Sequence, residues 1–101
     1  MGSIVYVDRS EIRPGKLAEL EVAVRALARL VGDHAPRVRS YAVHLSPDRS
    51  TLTVVHVHVD AESLEELMDA IAPALPPFGE LLRLQAIDVY GSPTEATRAR
   101  G

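Results

Sequence analysis

Two histidines, His56 and His58, stand two residues apart in the stretch Ser50–Asp60, STLTVVHVHVD. Leu52, Val54, His56 and His58 alternate there with Thr53, Val55, Val57 and Val59. An alternation of period two sets the two groups on opposite faces of a strand, so both imidazoles project from one side. A histidine with an ordinary pKa near 6.5 can accept a phenolic proton at neutral pH, and a nearby carboxylate raises its basicity. The same spacing places two imidazoles as metal sites require. His44 is the candidate third ligand, but a hairpin would put it opposite Leu52, about four residues or ~13 Å along the strand from His56. No metal site is therefore expected. The β-branched set, Thr53 to Val59, is expected to pack beneath helices, which turns the histidine face outward.

The elements that must position these groups follow from periodicity. Ile4–Val7, IVYV, reads as a first strand extending to about Arg9, with Val5 and Val7 on one face and Ile4, Tyr6 and Asp8 on the other. Pro14-Gly15 opens a helix, because proline's missing N–H costs nothing in a first turn. Leu17, Leu20, Val24, Leu27 and Val31 form its apolar stripe, and Gly32 and Pro36 stop it. Residues 37–46 alternate as a second strand, joined by the turn Ser46-Pro47-Asp48-Arg49 to the histidine strand. Asp60 caps a second helix with stripe Leu64, Leu67, Met68, Ile71 and Leu75. Pro73 shortens that helix and Pro76-Pro77 ends it. Leu82–Tyr90 closes the chain's regular part as a fourth strand, with Ile87 and Val89 opposite Leu84, Ala86, Asp88 and Tyr90.

The order βαββαβ, with right-handed crossovers, gives an α+β, ferredoxin-like domain over 1–91: a four-stranded antiparallel sheet, order 4-1-3-2, with both helices on one face. Residues 92–101, SPTEATRARG, read as a flexible tail. The face away from the helices would then carry Ile4, Tyr6, Val38, Leu52, Val54, Leu84 and Tyr90, an apolar patch too large for water. A homodimer formed through this sheet face and enclosing a cavity is the expected solution. On that face the strand order brings His56 and His58 towards Ile4 and Tyr6, with Asp88 and Tyr90 beyond. The reading assigns His56 or His58 as base and Asp88 as orienter. Tyr6, Tyr90 and Val54 are the expected substrate contacts. The competing reading makes the histidines hydrogen-bonded packing groups and the tyrosines dimer anchors.

Composition narrows the classes. The chain has 101 residues, no cysteine and a net charge of −3. Disulfides and thiolate chemistry are excluded, and the acidic balance argues against nucleic acid. A helical membrane span is not expected, nor a signal peptide, which fits a cytoplasmic protein.

Arg13-Pro14-Gly15-Lys16, Ser40-Tyr41, Val57-His58-Val59-Asp60 with Ala61-Glu62, and Val89-Tyr90-Gly91 carry a resemblance. Over residues 4–91 the chain resembles the antibiotic biosynthesis monooxygenase-like domains of the dimeric α/β-barrel superfamily. The resemblance implies a dimer with a pocket between each sheet and its helices or loops. It also implies oxidation of polyphenolic or quinol-type substrates by molecular oxygen without metal or flavin. The family's frequent tryptophan aligns with His58, its asparagine near Val54 and its helix histidine near Leu67, so this chain carries different groups at those places. A haem-degrading branch would need an axial helix histidine, for which the chain offers only His34. Two functions follow: a cofactor-independent monooxygenase-like enzyme for an aromatic polyketide or quinol-type molecule, or a non-catalytic dimeric barrel that binds a small molecule or serves in assembly.

Overall fold

A computed structural model describes residues 3–34 and 38–91. Its elements are β1 (Ile4–Ile12), α1 (Leu17–His34), β2 (Val38–Leu45), β3 (Thr51–His58), α2 (Ala61–Ile71) and β4 (Leu82–Tyr90). The four strands form one antiparallel sheet in the order β2-β3-β1-β4, which is the expected ferredoxin-like topology. The tail at 92–101 lies outside the described residues. Among the described residues no helix is long and apolar enough to cross a membrane.

Local chemistry sets the ends of the elements. The Pro14-Gly15 turn precedes α1 rather than starting it, with Gly15 at φ +76°. The helix then continues through Gly32 to His34. Asp60 caps α2 by accepting the Ser63 backbone N–H at 2.8 Å. Pro73 cannot continue an α-helical ladder, so α2 ends at Ile71 and two tighter turns follow, Ala72–Ala74 and Pro76–Glu80. The β2–β3 hairpin is pinned by Asp48, which accepts from the Ser46 and Ser50 hydroxyls at 2.6 and 2.7 Å. Those bonds hold its carboxyl down at about 2.

The sheet's faces are the reverse of those expected from β3. Ile4, Tyr6, Ser10 and Ile12 of β1 are buried, as are Leu52, His56 and His58 of β3. Ile4 and Tyr6 pack with Ala61 and Leu64 of α2, and Ile12 and Leu52 pack with Leu20 of α1. The histidine face therefore lies under the helices, and Val5, Val7, Thr53, Val55 and Val57 lie on the open face. β1 shows why. It runs to Ile12, so Val5 and Val7 share their face with Arg9 and Glu11, both exposed. Two charges at the end of a four-residue series cannot be placed in a dry layer without partners, and they turn the whole strand over. β4 adds a second correction. Its register against β1 shifts between Arg9 and Ser10, so Leu84 pairs with Ser10 and joins Ile87 and Val89 on the helix side.

Gly91 ends β4 at φ +117°, where a Cβ would stand 2.7 Å from the Ser3 carbonyl oxygen and 2.8 Å from Ile4 Cδ1. Backbone and side chain both exclude a larger residue. Gly91→Ala should lower stability by about 1–3 kcal/mol, read as a lower urea midpoint with unchanged slope.

Candidate functional site

The register builds one row of three rings across the sheet. Tyr6 of β1 and Tyr41 of β2 both pair with His56 of β3. The Tyr6 ring stacks on His56 with centroids 4.3 Å apart, and Tyr41 lies at 5.7 Å and 22°. In the next row Ile4 and Val38 flank His58; on the other side Asp8 and Val43 flank Val54. Each of these side chains points towards the helices because positions two apart on a strand share a face.

A cavity of about 140 Å³ lies between this wall and the helical layer. Tyr6, Asp8, Ser10, Tyr41 and His56 supply its polar lining, all from strands. The opposite wall is apolar: Val24 and Leu27 of α1, Met68 and Ile71 of α2, and Leu75 and Phe78 of the following turns. A cavity of this size matches one aromatic ring, since an apolar void of roughly 150 Å³ takes benzene.

Electrostatics separate the polar groups. Burial raises the Asp8 carboxyl to about 6, and its hydrogen bond from Tyr6 opposes only part of that rise. Burial and the neighbouring Asp8 charge push the Tyr41 phenol up to about 12, and the same causes raise Tyr6 further. His56 moves the other way. Burial, reinforced by His58, lowers it to about 3, so the ring is neutral at physiological pH. His58 is lowered by burial too, partly offset by the Asp60 charge. His56 Nδ1 lies 2.6 Å from His58 Nε2, and His58 Nδ1 lies 2.9 Å from Ser63 Oγ. The imidazoles thus form a hydrogen-bonded chain that ends on the first turn of α2. Among the described residues no buried side-chain nitrogen or oxygen lacks a partner.

Of the residues expected at a site, Tyr6, Val54 and His56 line the cavity, and His58 stands behind His56. Asp88 and Tyr90 do not join them. They pair with Val7 and Val5 on the open face, and Tyr90 is 59% exposed. Asp88 cannot orient either histidine from there, because the sheet lies between. Asp8, Tyr41 and Ser63 are the groups missed. Asp8 had a visible signal, a carboxylate two residues from Tyr6 on an otherwise apolar strand face. Ser63 had none beyond its place one turn after a cap.

Asp8 also makes a stability statement. A carboxyl raised from 3.8 to about 6 on folding binds its proton more tightly in the folded chain. Its ionisation therefore costs stability as pH climbs through that window, and the whole cost is present above about 6. Asp8→Asn should raise the melting temperature at pH 7.5, and the gain should shrink towards pH 4.

No family model matches the chain. Among curated proteins, 72 residues are 35% identical to a putative outer capsid protein, VP9, of Micromonas pusilla reovirus. That match covers 71% of this chain, which spans 17% of the viral protein's length. Among solved structures the chain is similar to MupZ from Pseudomonas fluorescens, with TM-score 0.85 and 16% identity over 99% of this chain and 80% of that one. It is similar to a putative antibiotic biosynthesis monooxygenase from Caulobacter crescentus, with TM-score 0.80 and 21% identity over 92% of each chain. It is also similar to SnoaB, a cofactor-independent oxygenase from Streptomyces nogalater, with TM-score 0.77 and 12% identity over 93% and 96%. Identities this low establish the fold alone.

Proposed function

For a chain with the antibiotic biosynthesis monooxygenase-like fold, we propose a cofactor-independent oxygenase that acts on an aromatic, quinol-type substrate. The observation that carries this reading is the cavity, one ring in size, with every polar group on its sheet wall and Asp8 among them. The substrate ring lies between that wall and the apolar helical layer, and any larger remainder extends past Leu75 and Leu84. Asp8 is the base. At about 6 its carboxyl is ionised at neutral pH and closer to a phenol's value near 10 than an ordinary carboxylate is. His56, lowered to about 3, is the weaker base and serves as a hydrogen-bond partner.

Removing the hydroxyl proton yields a phenolate rich enough to pass one electron to molecular oxygen. Recombination forms a carbon–oxygen bond at the ring, and cleavage of the oxygen–oxygen bond completes a quinone. One oxygen atom stays on the ring. The other leaves as water with the ring and hydroxyl hydrogens, and the ring's four electrons reduce the oxygen. Tyr6 and Tyr41, both raised, remain protonated and position the substrate.

The open sheet face supports a homodimer. Val5, Val7, Ala42, Val55 and Val57 form a partly exposed apolar centre, of the kind that a second copy covers. Tyr90 and Asp88 belong to its margin, where they serve assembly rather than catalysis. Val55→Glu should convert a dimer to a folded monomer, measured by light scattering with unchanged circular dichroism.

Oxygen uptake by metal-stripped protein with hydroquinones and anthrones tests the chemistry. Turnover should rise through about pH 6 as Asp8 loses its proton, and folded Asp8→Asn should lose about a hundredfold or more. Tyr6→Phe removes the bond that lowers Asp8, so its acidic limb should move to higher pH. Binding without oxygen uptake in the wild type would mark a small-molecule carrier instead.

A further inference from the structure

We propose that the Ser63–His58 hydrogen-bond chain, directed by the charge of Asp60, sets the tautomer of His56 and leaves the His56 Nε2 lone pair for a hydroxyl group of the occupant. The occupant's identity rests on the oxygenase reading; the tautomer does not. Asp8 and His56 would then offer two acceptors to one ring. The matching ligand is a quinol, with one hydroxyl for Asp8 and one for His56, rather than a simple phenol.

A neutral imidazole carries one N–H and one lone pair. The 2.6 Å contact between His56 Nδ1 and His58 Nε2 holds one of those protons. If His56 supplies it, His58 must carry its own proton on Nδ1 and donate to Ser63 Oγ at 2.9 Å. If His58 supplies it, Ser63 donates to His58, and His56 carries its proton on Nε2. The two rings are thus locked in one of two directions, and the choice decides whether His56 Nε2 is an acceptor or a donor.

Asp60 selects the first. Its carboxylate accepts the Ser63 backbone N–H at 2.8 Å, so negative charge sits at the Ser63 end of the chain. That charge acts on His58 and favours its proton. A proton on Nδ1, the nitrogen facing Ser63, gains most from it. The direction of the His56 ring is held independently. Tyr6 stacks on it at 4.3 Å and Tyr41 lies nearly parallel, so the plane cannot swing away from the wall. His58 is fully buried and Ser63 nearly so, which keeps water from supplying alternative partners.

Ser63 and His58 are positioning residues, and their test reads nitrogen protonation directly. Long-range proton–nitrogen spectra of the imidazoles in ¹⁵N-labelled protein would be taken for wild type, Ser63→Ala and Ser63→Thr, beside oxygen uptake and urea melts. Wild-type His56 should show an unprotonated Nε2. In Ser63→Ala its nitrogen shifts should move to values averaged over both tautomers, with kcat for a quinol falling about tenfold. Ser63→Thr, which keeps the hydroxyl, should restore both. A wild-type proton on Nε2, or nitrogen shifts indifferent to Ser63→Ala, overturns the proposal even if quinols turn over. Nitrogen shifts that follow Ser63 without any turnover uphold it and remove the oxygenase reading. Should Ser63→Ala unfold, the wild-type pattern and Ser63→Thr decide.

Discussion

A 2.6 Å contact between two imidazoles is the constraint on which the inner layer depends. Placing two rings beneath helices withdraws polar nitrogens from water, and each nitrogen left unpaired would cost about 1–3 kcal/mol. The contact satisfies one nitrogen of each ring, and Ser63 takes the outer nitrogen of His58. Because Ser63 belongs to α2, the same bonds tie the end of β3 to the start of that helix. Asp60 completes the corner by capping the helix through the Ser63 backbone N–H. The polar contents of the layer are thereby also its joints. An apolar pair of similar volume could fill the space but would not fix how α2 leaves the sheet.

Asp8 stands in contrast, because no cation among the described residues neutralises it. Tyr6 donates one bond, yet burial still outweighs it. The sheet therefore holds a carboxylate at some cost to folding, beside an opening large enough for one ring. That cost separates Asp8 from the well-partnered histidines on the same face of the sheet.

The topology was legible from periodicity, because the stripe of α1, the proline-rich stop of α2 and the alternation of β4 are local signals. The facing of the sheet was not. Read from β3 alone, four β-branched residues look drier than a face with two histidines. The deciding signal lies further along β1, where Arg9 and Glu11 follow Val5 and Val7, and a strand ended at Arg9 conceals it. The cross-strand neighbours of His56 and His58 came out correctly as Tyr6 and Ile4, since register does not depend on which face is buried. Asp88 and Tyr90 do lie on the face away from the helices, as read; they lost the histidines because β1 and β3 turned over. Ser63 could not be found from spacing, because its role exists only once β3 and α2 meet.

The cavity's two walls come from elements of different regularity. Its polar groups stand on the central strands β1 and β3, held by ladders on both sides, and on the edge strand β2, whereas Leu75 and Phe78 stand on short turns made by a chain rich in proline. Turns of that kind tolerate insertions and exchanges of side chain that a central strand does not. The mouth can therefore be redrawn by mutation while the polar groups keep their places. Residues 72–80 are thus the part of the cavity wall where exchange disturbs the sheet least, which makes that segment a natural target for laboratory evolution of the pocket.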